Sequence, residues 1–278
     1  MTRSDGRTRQ VLARRRSVFL DSVTVVRATA RALVHQRFLL RVIVGVLLMF
    51  LALLVIWRVV GPRASTESRS LARPVLVGVR LMLTLCLQHL VASWLFDRWS
   101  GEEGERVLRL WRRLVRRIPA FVACSVLLGW LDHATGGLSA VTALRAAAAF
   151  GFSYLLSYVV PAAAATRSGM ITGLVHTVRA FRRTFGADLF AWSGMWAVNA
   201  GVSLLAALPE LLDLYSPQTG ALAARLGGLL VMLPTAMVAA SLGAGFCTVI
   251  FYAVANDRAP EGYPTAAVET VSGLTLQP

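Results

Sequence analysis

LGGLLVMLPTAMVAASLGAGFCTVIFYAVA, residues 226–255, is a run of thirty positions without a charged side chain. A bilayer core about 30 Å thick is crossed by roughly 20 apolar residues in a helix, and inside it every backbone amide must find its partner within its own segment. The run therefore reads as a membrane-spanning helix. Five further apolar runs precede it, at about 38–60, 75–96, 118–131, 138–165 and 188–208. Hydrophobic residues make up 56% of the chain and charged ones 15%, a balance that no soluble domain of 278 residues needs. The expected fold is all-α, a polytopic bundle of six spans flanked by basic amphipathic helices. Residues 1–37 form a basic leader, 38–255 the membrane domain, and 256–278 a disordered tail rich in proline and glycine.

The net charge is +15, and all 29 basic residues are arginine. Abundant Arg and Ala without Lys matches a GC-rich bacterial genome. In a soluble protein this excess would point to nucleic acid. Here the arginines gather at helix ends on one side, which the positive-inside rule explains, and nucleic acid is set aside as a partner. With the N-terminus inside, the leader carries nine arginines, the 97–117 loop seven and the 167–186 loop four, joined by Arg41 and Arg258. The opposite side has Arg58, Arg63, Arg69, Arg73 and Arg225. Both termini are thus expected in the cytoplasm and the chain in the bacterial inner (plasma) membrane. The first apolar run follows a long basic leader and reads as a signal anchor that is not cleaved.

Two loops carry helical patterning of their own. Arg106, Arg109, Arg112, Arg113, Arg116 and Arg117 fall on one arc of a helical wheel, with Val107, Leu110, Trp111, Leu114, Val115 and Ile118 on the other. The pattern predicts an interfacial helix over 102–117, its basic face on the phosphates of anionic lipids. The stretch Met170–Phe185 repeats it, with Ile171, Leu174, Val175, Val178, Phe181 and Phe185 on one face. The leader is helix-compatible from Val18 to Gln36. Basic helices therefore lead three pairs of spans, a faint internal repeat.

Ionisable residues within the apolar runs are costly and draw a functional reading. Arg80 and Arg145 lie at similar depth, roughly 8–10 Å from the outer surface at ~1.5 Å per residue. One reading joins them in a pocket for an anionic lipid headgroup or solute; the simpler one has each snorkel to the interface alone. Gln88, His89 and Asn199 fall nearer the midplane, lining a cavity or bonding between helices. Pro161 and Pro234 interrupt spans four and six. Ala197 with Gly201, Ala239 with Gly243 and Ser241 with Gly245 are spaced for close helix contact.

No catalytic motif emerges. Gly151-Phe152-Ser153-Tyr154 lacks the second glycine of a rhomboid-type nucleophile, spans five and six contain no His, and a chain without Lys has no P-loop. Cys86, Cys124 and Cys247 sit in separate apolar runs without metal-ligand spacing, as packing residues. No metal, cofactor or catalytic residue is expected.

Tyr158-Val159-Val160-Pro161, Arg182-Arg183-Thr184-Phe185-Gly186-Ala187-Asp188-Leu189, and Phe251-Tyr252-Ala253-Val254-Ala255 followed by Pro260-Glu261-Gly262-Tyr263 carry a family resemblance. The second half of the chain resembles a family of uncharacterised six-span bacterial and archaeal membrane proteins, related in layout to the membrane domain of glycerophosphodiester phosphodiesterases. The resemblance implies topology and brings no activity. The expected function is a non-enzymatic membrane scaffold or accessory factor, with anionic lipids and protein partners or further copies of the chain as its contacts. The alternative is a transporter or permease subunit for a lipid or small anionic solute.

Overall fold

The computed structural model describes residues 3–37, 66–101, 106–134, 158–167, 169–184 and 221–277, with scattered helical positions between 41 and 52 and at 197, 198 and 201. The protein is all-helical, and no strand occurs among the described residues. We label its helices α1 (Arg3–Val34), α2 (Thr66–Trp99), α3 (Arg106–Ala134), α4 (Met170–Thr184), α5 (Ala221–Asn256) and α6 (Thr265–Ser272). The chain divides into two compact units, Arg37–Leu174 and a second made of Met1–Gln36 with Val175–Pro278, the division falling within α4.

In the Arg37–Leu174 unit, α2 and α3 pack as an antiparallel pair: Asp97 near the end of α2 meets Arg113 near the start of α3, and Gly78 approaches Ser125. From Leu83 to Leu95, α2 is apolar on nearly every side and correspondingly buried, with Leu85, Leu87, Val91 and Leu95 essentially sealed from solvent. It closes where Ser100 N–H donates to the Phe96 carbonyl and Gly101 takes a left-handed φ of 71°, the conformation glycine adopts most cheaply at a helix end. Gly78 lets the pair come close: a Cβ there would stand 3.2 Å from the Ser125 carbonyl oxygen.

α3 differs from the expected interfacial helix followed by a separate span. It is one helix of 29 residues running through Pro119, about 43 Å long at 1.5 Å per residue. Proline removes one donor but does not end a helix whose flanking turns are packed. The turns on either side are held by buried Leu110, Leu114 and Phe121. Helical residues 158–165 then meet α4 through a tight turn, in which Thr166 Oγ1 donates to the Ala162 carbonyl at 2.7 Å and Arg167 adopts a left-handed φ of 54°. Gly173 makes this crossing possible, since a Cβ there would lie only 2.7 Å from Ala163 Cβ.

In the other unit, α1 packs against α6 and α5. The leader helix starts at Arg3, well before the expected Val18, and the tail expected to be disordered is folded. Pro260 to Tyr263 turns the chain, with Gly262 at φ 84°, and α6 presents Ala267, Val268 and Val271 to the interior. α6 ends at Gly273, left-handed at φ 68°, whose N–H bonds the Glu269 carbonyl. The terminal strand of chain is tied down by Gln277 N–H to the Asp257 carbonyl (2.8 Å) and Leu276 N–H to Glu269 Oε1 (2.8 Å). The proline and glycine that suggested disorder supply the turn, while the apolar periodicity of Ala267, Val268 and Val271 supplies the anchor.

Among the described residues one stretch, Met237–Asn256 of α5, is long and apolar enough to cross a membrane, and most of it is buried within the protein. Expected spans one, four and five lie largely outside the described residues, and spans two and three are parts of α2 and α3.

Candidate functional site

The inner faces of α2 and α3 carry polar side chains at four-residue spacing. On α2 these are His89, Ser93 and Asp97; on α3 they are Arg113, Arg117 and Ser125, with Phe121 between the last two. Residues four apart lie one above another on a helix, so each set forms a stripe. Because the helices are antiparallel, the two stripes line one seam.

Asp97 closes the seam at one end. It is 2% exposed, and Arg113 Nη1 donates to both of its carboxylate oxygens at 3.0 Å. Arg167 adds a longer contact, Nη2 to Oδ1 at 3.6 Å, delivered by the left-handed turn after residues 158–165. A buried carboxylate needs such pairing to stay charged. Two guanidiniums thus meet on one carboxylate, and Arg117 follows one turn after Arg113 on α3. Its guanidinium lies near the close passage at Gly169, where a Cβ would stand 3.9 Å from Nη1. Partial burial lowers the Arg117 pKa below its usual value, and a guanidinium remains charged regardless.

Deeper in the seam the polar atoms lose their partners. His89 is 2% exposed and meets Phe121 edge-on, ring centroids 5.9 Å apart. It lies within electrostatic reach of Arg117 and Arg113. His89 Nε2, Ser93 Oγ and Ser125 Oγ are buried without a hydrogen-bond partner, as is Gln88 Oε1, which lies about 100° round the helix from His89. Buried hydroxyls elsewhere behave differently: Thr29, Ser241 and Thr248 each donate to the carbonyl four residues back, at 2.6–2.9 Å. That local bond is available to any helical Ser or Thr, so its absence at Ser93 and Ser125 singles them out.

The expected basic arc of α3 is divided between two faces. Arg112 and Arg116 are exposed, whereas Arg109, Arg113 and Arg117 are partly buried. The expected apolar arc divides too, with Leu110 and Leu114 buried and Trp111 and Val115 exposed. The outer face of α3 is thus mixed, Leu108, Trp111, Val115, Val122 and Val126 standing beside Arg112 and Arg116. Arg106 is helical, and its side chain lies outside the described residues, as does that of Arg80 on α2. Arg145 and Asn199 lie outside the described residues altogether. Of the polar positions expected near the midplane, Gln88 and His89 are neighbours on α2 and both are buried.

Asp97, Ser93, Ser125 and Arg167 did not stand out in the sequence. The first belongs to a charged loop by composition, and a serine in an apolar helix is ordinarily self-satisfied. The available signal is the four-residue spacing of 89, 93 and 97 against 113, 117, 121 and 125. Among the described residues no group of three or more His, Cys, Asp or Glu is placed to hold a metal. Comparison with known protein families, curated proteins and solved structures finds no match.

Proposed function

We propose that this chain is a multi-pass integral protein of the bacterial inner membrane, six spans with both termini cytoplasmic, acting as a non-enzymatic scaffold or accessory factor held against anionic lipid. The observation that carries this reading is the pairing of exposed apolar and arginine side chains along the outer face of α3, where Trp111 is 58% exposed and Arg112 and Arg116 are exposed beside that face. α4 carries a similar face, Ile171, Leu174, Val175 and Val178, with Ile171 84% exposed. Contiguous apolar faces of this kind are rare on a water-facing monomer, and arginine at their edges suits a leaflet rich in phosphate. The arginine asymmetry of the loops supports the threading.

Membrane fractions washed with alkaline carbonate should retain the protein. Reporters fused after Ser68, Gly137 and Thr219 should read external and one after Gly186 internal. Release into the carbonate supernatant, or a cytoplasmic signal at Thr219, overturns the reading.

A second reading, transport of a lipid or small anion, is favoured by the unpartnered polar atoms between α2 and α3. Polar groups left without partners in a helix bundle commonly line the path of something that supplies them. Counterflow of a labelled anion in proteoliposomes would separate this reading from a static scaffold.

A further inference from the structure

We propose that the α2–α3 seam is a binding site for a phosphate-type anion, either free or as the headgroup of an anionic lipid, held by Arg113 and Arg117 and completed by Ser93 and His89. The inference deepens the second functional reading, and its chemistry stands on four observations.

The first is charge. Arg113 and Arg167 converge on one buried carboxylate, Asp97, and Arg117 follows one turn after Arg113 on the same face of α3. Guanidiniums gathered at one end of a partly buried seam create a positive potential that favours an anion beside them. The second is donor capacity. Guanidinium offers five N–H donors, and the contacts of Arg113 with Asp97 run through Nη1 alone. Its remaining edge is available for a second acceptor, as in arginines that bridge a carboxylate and a phosphate.

The third is the set of buried polar atoms waiting along the same stripe. Ser93 sits one turn from Asp97 and one turn from His89, and both Ser93 Oγ and His89 Nε2 are more than nine-tenths buried without partners. A hydroxyl rotates to donate, and an imidazole nitrogen donates or accepts according to tautomer, so both suit the oxygens of a tetrahedral anion. Leaving each unsatisfied costs the protein free energy that a ligand would recover. The fourth is placement: Arg113 and Arg117 both lie within electrostatic reach of His89, which brings the charged and neutral parts of the site together. Phe121, edge-on to His89, closes the deeper end.

The full-length protein, purified in detergent and stripped of lipid, should bind inorganic phosphate saturably in calorimetry. Arg117→Gln should weaken that binding by about tenfold, the effect of one charge-assisted hydrogen bond, and Ser93→Ala by a smaller factor. Arg112→Gln and Arg116→Gln, exposed on the same helix, should leave it unchanged. Should Arg117→Gln fail to fold, Ser93→Ala combined with His89→Phe carries the test. In nanodiscs of phosphatidylcholine with and without phosphatidylglycerol, native mass spectrometry separates the sources. A phosphatidylglycerol retained by the parent protein and lost from the seam variants identifies a headgroup, and phosphate binding without retained lipid identifies a soluble anion. Absence of saturable binding by either probe overturns the proposal, and so does equal weakening by Arg112→Gln or Arg116→Gln, which would mark surface charge. A protein released by carbonate that still binds phosphate through Arg117 would end the membrane reading and leave the site standing.

Discussion

Tyr263 Oη donates a hydrogen bond to Thr29 Oγ1 at 3.3 Å, joining residues 234 apart in sequence within a buried contact. Thr29 itself donates to the Val25 carbonyl one turn back, so its hydroxyl is both donor and acceptor. The bond fastens the segment after α5 onto the leader helix. Both ends of the chain therefore share one small core, in which Val25, Val268 and Val271 are fully buried.

Replacing Tyr263 by Phe should cost about 1 kcal/mol, the net worth of one hydrogen bond, because Thr29 keeps its bond to Val25. Tyr263→Ala should cost about 3–5 kcal/mol, since the ring is buried and its removal leaves a cavity. Thermal melts of the detergent-solubilised protein check the order. A Phe variant as unstable as the Ala variant would show that the hydroxyl, and not the ring, holds the contact.

Removing Arg113 should be worse than removing both members of its pair with Asp97. Arg113→Leu removes the shorter, two-oxygen contact of a buried carboxylate and keeps the longer one from Arg167, and breaking such a pair typically costs about 3–5 kcal/mol. Exposure of the guanidinium discounts that figure here. Asp97→Asn in the Arg113→Leu background should recover a substantial part of the loss. Denaturant titration of the two single variants and the double one would measure the coupling, and additive effects would dismiss the pair as structurally idle.

How far the chain could be read in advance depends on which interactions are local. α3 joins two expected elements into one helix, whereas the helical class and the places of α2 and α5 follow from runs of apolar residues whose partners lie within the same segment. The orientation of α3 does not: the wheel of residues 106–118 has two apolar and basic arcs, and only packing against Leu85–Leu95 of α2 decides that Leu110, Leu114 and Phe121 turn inward. Arg113 and Arg117 follow them because they share that face. The tail misled for a different reason. Pro260, Gly262 and Pro264 read as breakers, while the contact that orders them is made with Thr29 at the far end of the sequence. Ser93 and Ser125 were invisible because serine in an apolar helix is ordinarily quiet.

Gly173→Ala should destabilise the packing of α4 against residues 158–165. The added methyl would stand 2.7 Å from Ala163 Cβ and 3.1 Å from its backbone nitrogen, and neither neighbour is a flexible side-chain end that can swing aside. Overpacking of this kind costs about 1–3 kcal/mol. Ala163→Gly should restore part of the loss, because the methyl it removes is the nearest atom. Protease accessibility of the turn at Thr166–Gly169 provides the readout, and unchanged resistance in Gly173→Ala would mean the two helices part without cost.

Trp111 should sit in lipid near the headgroups. It is 58% exposed on the outer face of α3, a face edged by the exposed Arg112 and Arg116, whereas Trp94 on α2 is 7% exposed. Indole prefers the interface, where its ring meets acyl chains and its N–H meets water, and guanidiniums at the edge of the same face suit that depth, at the phosphates. Reconstitution into bilayers carrying a brominated lipid quenches tryptophan fluorescence by contact. Trp111→Phe should therefore remove a distinct share of the quenchable signal, largest for bromine placed high on the acyl chain, while Trp94→Phe should remove unquenched emission. Equal loss in the two variants would place Trp111 against protein or water, and the mixed outer face of α3 would then need a partner other than lipid.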